Sequence, residues 1–248
     1  LPIGRPTQEG GSAAVRFIHT AVDFARQQRV EAITTAPINK AGIHLAGFLY
    51  PGHTELLAEY TRAPNCALLM VSGKLRVVLA TTHISLKDVG QHLTPERLLG
   101  TIRLTHQWLS RHIAERPTIA LTGLNPHCGD GGIFGREEGN IILPAIRSAQ
   151  AEGIRAEGPF SADALFPRAK TGAYDAVITM YHDQGMIPIK MESMGHAVNI
   201  TLGIPIIRTS VDHGTAYDIA GKGVATYASL IEALRTAAGI AKFTPVAP

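Results

Sequence analysis

Cysteine is scarce in this chain: Cys66 and Cys128 are the two in 248 residues. So low a count excludes a disulfide framework and suits a reducing compartment. No dense Lys/Arg cluster stands behind the formal charge of +3, so nucleic acid is not an expected partner. The small positive excess suits a compact anionic substrate, or nothing beyond solubility. No apolar run approaches a membrane span. The opening Leu-Pro-Ile-Gly-Arg-Pro has no basic-then-apolar leader, so a cytoplasmic protein with no membrane partner is the expectation. Internal repeats and low-complexity segments are likewise missing. What remains is 45% apolar and 17% charged, the make-up of an ordinary globular chain long enough for one large α/β domain or two lobes.

Three apolar runs each deliver a histidine at or just past their exit. Ala176–Met180 empties into Tyr181-His182-Asp183-Gln184-Gly185, Leu75–Thr82 ends at His83, and Thr118–Gly123 is followed by Leu124-Asn125-Pro126-His127. Runs of this length read as buried strands. In open α/β sheets, ligands bind at the carboxyl ends of the strands. If the three strands are parallel neighbours, His83, His127 and His182 can converge as a three-imidazole ligand set for a divalent metal. The plain alternative is three unrelated polar residues at loop starts.

Other polar groups sit at comparable places. Val30–Thr35 is a short strand leaving into Ala36-Pro37-Ile38-Asn39-Lys40, where Lys40 is an anion ligand or a solvated lysine. Gly52-His53-Thr54 precedes an apolar helix, where His53 and Thr54 either present donors to a substrate oxygen or form an ordinary cap. Lys190, Asn199 and Arg208 add two cations and an amide close to the His182 strand, a set suited to a phosphate or carboxylate. Asp163, in a short capped turn over 161–166, is a site candidate or a turn aspartate. The glycine-dense Asn125–Gly135 segment has GxGxxxG spacing, which is not a Rossmann fingerprint. A helix is expected from Ser12, as cap, to about Gln28, and a hairpin about Ser72-Gly73-Lys74. Alternating strands and helices indicate a mostly parallel sheet with a local antiparallel pair.

The motifs TAPINK, PGHTE, TTH, GLNPHCGDGG, YHDQG, VNITLG and RTSVDHGTA, in this order along essentially the whole chain, resemble those of the 4-hydroxythreonine-4-phosphate dehydrogenase (PdxA) family of vitamin B6 biosynthesis. The resemblance implies an α/β fold like that of isocitrate and isopropylmalate dehydrogenases. Two α/β/α lobes flank a central cleft, in a homodimer with its active site at the subunit interface. It implies a first lobe from residues 1–48 with 212–248 and a second from 49–211. It assigns His83, His127 and His182 to the metal, with the third histidine coming from the partner subunit, and His53, Thr54, Lys190, Asn199 and Arg208 to substrate. Asp163 lies in GPFSADALF, which departs from the family's GPxPADTLF at Ser161 and Ala164. Cys128 replaces the usual alanine and reads as a small filler. Family members begin with a strand and a Gly/Pro-rich turn ahead of the point where this sequence starts, in the lobe that completes the NAD site.

The implied reaction is NAD-dependent, divalent-metal-dependent oxidation and decarboxylation of 4-hydroxythreonine 4-phosphate to 3-amino-2-oxopropyl phosphate. Asp163, Asp183 and Lys190 are the candidate general bases. Zinc, magnesium, cobalt and manganese all suit imidazole-containing sites of this kind. D-Threonate or D-erythronate 4-phosphate is the alternative substrate. A metal-dependent hydrolase or aldolase, and a metal-binding protein without turnover, are the alternatives of other classes.

Overall fold

A computed structural model describes residues 1–243. In chain order its main elements are α1 (Gln8–Arg26), β1 (Ala32–Thr35), α2 (Lys40–Leu45), α3 (His53–Thr61), β2 (Ala67–Ser72) and β3 (Leu75–Leu79). Next come α4 (Val89–His92), α5 (Pro95–His112), β4 (Thr118–Thr122), α6 (Leu143–Ala151), β5 (Arg155–Phe160) and α7 (Ala162–Lys170). The last are β6 (Ala176–Thr179), α8 (His182–Ser193), β7 (Val198–Leu202), β8 (Ile207–Val211) and α9 (Ala228–Phe243). No helix among the described residues is long and apolar enough to cross a membrane.

The chain divides into two compact units, Leu1–Cys66 with Gly195–Pro248, and Ala67–Met194. Segments 49–66 and 195–211, expected in the second lobe, therefore belong to the first unit. The reason is packing and pairing. Leu56 and Leu57 of α3 join the buried cluster of Val15, Ile18, Val22, Ile33 and Ile43. β7 pairs antiparallel with β8, which pairs parallel with β1, and α9 covers these strands. Helix α1 starts earlier than Ser12, because the Thr7 hydroxyl accepts from Gly10 N and caps it. Its two glycines look like loop in sequence, but Gly11 serves close packing. A Cβ there would lie 1.9 Å from the Gly42 carbonyl oxygen on α2.

In the second unit β2 and β3 form the expected hairpin, with Gly73 at φ 54° in its turn. β3 then pairs parallel with β6, β6 with β4, and β4 with β5. The three histidine-bearing strands are thus parallel neighbours in the order β3-β6-β4, as the sequence reading required. Thr94 caps α5, whose first residue is Pro95. Asp163 starts a full helix, α7, rather than a turn ending at 166. Helix α8 follows β6 directly, in a stretch where the sequence pattern announced no helix. Gly185 and Pro188 disfavour a helix locally, but tertiary packing prevails. A Cβ at Gly185 would meet Thr179 Oγ1, Val77 Cγ1 and Leu79 Cδ2 at 2.6–2.8 Å, so only glycine lets α8 lie this close to β3.

Candidate functional site

Candidate site residues form two groups, one in each unit. In the second, the exits of β3 and β6 are tied together: Ala80 N donates to Thr179 O, and Thr81 Oγ1 to Met180 O. This brings the His83 and His182 rings to 5.9 Å between centroids. They line a cavity of about 510 Å³ with Thr82, Leu86, Tyr181 and Asp183. His182 is the first residue of α8, and its Nδ1 lies 2.7 Å from Asp183 Oδ1. A carboxylate at Nδ1 holds the proton there and leaves Nε2 with its lone pair, the tautomer a metal ligand needs. This donor chemistry fits a divalent cation.

His127 does not join the pair. Its loop winds left-handed: His127, Cys128, Gly129, Asp130 and Gly131 all have positive φ, between 43° and 78°. The turn leaves the exposed His127 ring 6.5 Å from Phe134 and within electrostatic range of Asp163. Among the described residues no three His, Cys, Asp or Glu side chains are grouped to hold a metal. The expected convergence of three imidazoles is therefore not met within one chain, because β4 releases its histidine into a reversing loop while β3 and β6 release theirs toward each other. Burial and the nearby Glu138 carboxylate push the Cys128 thiol up.

Of the candidate bases, Asp183 is committed to His182. Asp163 accepts from the Ser161 hydroxyl and from Ala164 N, and these bonds hold its carboxyl below the usual range, which weakens it as a base. Lys190 is exposed in the last turn of α8. Eight residues from His182, it stands roughly 12 Å further along the helix. It belongs to the second unit, whereas Asn199 and Arg208 belong to the first, so the expected trio is not one cluster within a unit.

The first unit holds a different kind of site. Pairing of Asn199 with Ser210, and of Thr35 with Ser210, puts Asn199, Thr201, Arg208 and Thr35 on one sheet face. Arg208 is 1% exposed. Its Nη1 donates to Thr201 Oγ1 at 3.0 Å, and Nε and Nη2 donate to Thr35 Oγ1 at 3.1 and 2.6 Å. Burial lowers its pKa to about 10, which still leaves it charged. Among the described residues no carboxylate pairs with it. His53, first residue of α3, is held to about 3 by burial and by Arg208, so its imidazole is neutral. Its Nε2 is buried without a partner, and so is Asn199 Oδ1. Thr54 follows at the same helix start, where Gly52 supplies no side-chain cap. A buried cation beside an unpartnered imidazole nitrogen is a cradle for an anion, while Asn199 Oδ1 can only accept, from a ligand hydroxyl or amine. Lys40 is not in this group: it is exposed at the start of α2, whose cap is Asn39. Thr35 and Thr201, which hold the guanidinium, escaped the sequence reading. The alternation of Asn199 and Thr201 along one strand was the signal that marks Thr201; nothing comparable marks Thr35, at the end of β1.

Comparison with known proteins adds identity to this geometry. The family model described as pyridoxal phosphate biosynthetic protein PdxA matches residues 1–237. A 4-hydroxythreonine-4-phosphate dehydrogenase of Geobacter metallireducens is 51% identical over 242 residues, covering 98% of this chain and 71% of that protein. A D-threonate 4-phosphate dehydrogenase of Cupriavidus necator is 48% identical, covering 97% and 73%. The crystal structure of 4-hydroxythreonine-4-phosphate dehydrogenase from Klebsiella pneumoniae superposes with a TM-score of 0.92 at 43% identity, over 97% of this chain and 73% of that one. Isocitrate dehydrogenase from Methylococcus capsulatus shares the fold at a TM-score of 0.50 and 16% identity, over 82% of this chain and 66% of that one.

Proposed function

Because this chain belongs to the PdxA family of pyridoxal phosphate biosynthetic proteins, we propose that it is an NAD-dependent, divalent-metal-dependent dehydrogenase that oxidises and decarboxylates 4-hydroxythreonine 4-phosphate to 3-amino-2-oxopropyl phosphate. The observation that carries the reading is Arg208, a buried guanidinium held by the Thr35 and Thr201 hydroxyls with no carboxylate partner among the described residues, beside the unpartnered Nε2 of His53. A group so placed is stabilised by a phosphate or carboxylate and by little else.

His83, His127 and His182 would hold the cation, with the third histidine supplied by a second copy of the chain. When bound, the cation supplies Lewis-acid polarisation of the substrate oxygen, and nicotinamide takes the hydride. The protein's own part is positional. Asp183 keeps the proton on His182 Nδ1. Arg208 orients the substrate anion, and His53, neutral at working pH, offers a hydrogen bond without adding charge. Zinc, magnesium, cobalt and manganese are the candidate cations, and imidazole donors favour zinc and cobalt over magnesium and manganese.

The partner would be a second copy of the chain. Ile187, Met191 and Met194 are 58%, 76% and 85% exposed along the outer side of α8, while Gly185, Met186 and Ile189 are buried on its inner side. A helix apolar on both sides wants cover on both. Both cysteines are free thiols, which supports a cytoplasmic location.

The test is NADH formation with 4-hydroxythreonine 4-phosphate, NAD and a divalent metal. Turnover without nicotinamide would sink the reading in favour of a hydrolase or aldolase. Metal binding without any turnover would leave a binding protein. D-Threonate 4-phosphate is the second reading, favoured by the 48% identical Cupriavidus necator relative; a higher kcat/KM on it, or on D-erythronate 4-phosphate, would move the assignment there.

A further inference from the structure

We propose that Gln184 is a positioning residue, one amide that locks the strand end carrying His182 to the strand end leading to His127. The proposal rests on the metal reading above. Gln184 is the third residue of α8. Its Oε1 accepts from Met180 N and from Thr122 Oγ1, both at 2.8 Å, and its Nε2 donates to Gly123 O at 2.7 Å. A residue that merely capped α8 would need the Met180 bond alone. Gln184 spends its other two bonds on β4 and the residue after it, 61–62 positions away in sequence.

Beyond Gly123 the clamp continues. Gly123 N donates to Phe160 O at 2.8 Å. The buried Glu138 accepts from Leu124 N and Asn125 N at 2.8 and 2.7 Å through Oε1, and from Asn125 Nδ2 at 3.0 Å through Oε2. Residues 123, 124 and 125 are therefore each fixed before the left-handed turn begins. That turn places three non-glycine residues at positive φ, at a cost of roughly 1–2 kcal/mol each, and it needs a rigid root. Gly123 itself has no room for a Cβ, which would lie 2.9 Å from Cys128 Sγ. Gln184 touches both the β6–α8 junction and this root, so it holds the carrier of His182 and the carrier of His127 at once. An amide is required: it accepts from two donors and donates to a carbonyl at once, which neither a carboxylate nor an ammonium can do.

The experiment measures Co2+ binding to the purified protein by equilibrium dissociation constant and by visible absorption, with thermal midpoint recorded beside it. Gln184→Ala is expected to weaken Co2+ by about tenfold or more, as loss of groups that orient metal ligands does, and to alter the absorption band. Thr122→Val, which removes one of the three bonds and keeps the shape, is expected to weaken it by about threefold. Gln150→Ala is the control, since Gln150 Nε2 also donates to a backbone carbonyl in this unit, that of Ala156 at 2.8 Å; it should lose thermal stability and keep its Co2+ affinity. Wild-type affinity in a folded Gln184→Ala overturns the proposal. If that variant does not fold, wild-type affinity in Thr122→Val overturns it. An equal loss in Gln150→Ala also overturns it, by showing general destabilisation. Failure of the metal reading looks different: the wild type ignores Co2+, or His182→Ala binds it as the wild type does, and both proposals then fall together.

Discussion

The Arg208 group of the first unit is dry and finished on the protein side, whereas the His83–His182 pair of the second stands in an open cavity. Arg208 is 1% exposed and its threonine partners are set by strand register. His83 is exposed, and the side chain of Asp183, which orients His182, is 73% exposed. The first site keeps a buried charge whose missing counterion must come from a ligand. The second keeps two soft donors and awaits further ligands. A permanent cost in the first, and an incomplete coordination shell in the second, are different ways of storing specificity: one selects by charge, the other by coordination chemistry.

The largest break in that comparison is Arg208→Met. It removes the anion's cation and with it the desolvation cost of an uncompensated buried charge. We expect kcat/KM for the phosphorylated substrate to fall by about 10³, near 4 kcal/mol, while the unfolding midpoint in urea rises by the equivalent of about 1–2 kcal/mol. Loss of stability together with retained kcat/KM would show Arg208 to be an ordinary structural residue. The corresponding change in the second unit, His182→Ala, should leave stability near wild type and abolish metal retention.

Much of this arrangement was legible in the sequence, and the failures have physical causes. The β3, β4 and β6 exits were readable because apolar runs that end in histidine have no packing motive. A mostly parallel sheet followed from the β/α alternation, whereas the adjacency of these three strands was a condition that the fold had to meet. The fate of His127 was not readable, since Glu138 fixes the root of its loop at Leu124 and Asn125 from 13–14 positions away, a tertiary contact that no local pattern announces. Helix α8 was hidden by Gly185 and Pro188, whose local penalties are outweighed by packing on β3. Arg208 was named as an anion ligand, but its isolation from carboxylates is a tertiary fact, as is the role of Thr35 from a strand 173 positions away.

A smaller effect sharpens the contrast through pH. His53 in the first unit is held to about 3, and His112 in the second to about 4 by burial and the neighbouring Arg111. Both lie below the unfolded value near 6.5. Below that pH the unfolded chain takes up protons that the folded chain refuses, so each histidine's contribution to stability is lost as pH falls from 6.5 toward its folded value. Between pH 7 and 4.5 His53 should account for about 2–3 kcal/mol of the loss. His53→Gln should remove that share and leave the His112 share in place. Saturating phosphate should also flatten the His53 slope, because an anion beside Arg208 favours the imidazolium. A slope untouched by both changes would mean that His53 is not sealed beside the guanidinium.

The smallest expected effect tests the open site. Asp183→Asn keeps the size of the side chain and an oxygen able to accept from His182 Nδ1, but removes the charge that fixes the tautomer. Metal affinity should drop by about tenfold. The exposed position of Asp183 means that stability should change by less than about 0.5 kcal/mol. The same charge removal around Arg208 has no counterpart, since no described carboxylate faces it, and that asymmetry is the point at issue. If Asp183→Asn retained full metal affinity, His182 would be oriented by its place at the start of α8 alone. The open site would then owe its geometry to backbone and to Gln184, with no contribution from a carboxylate.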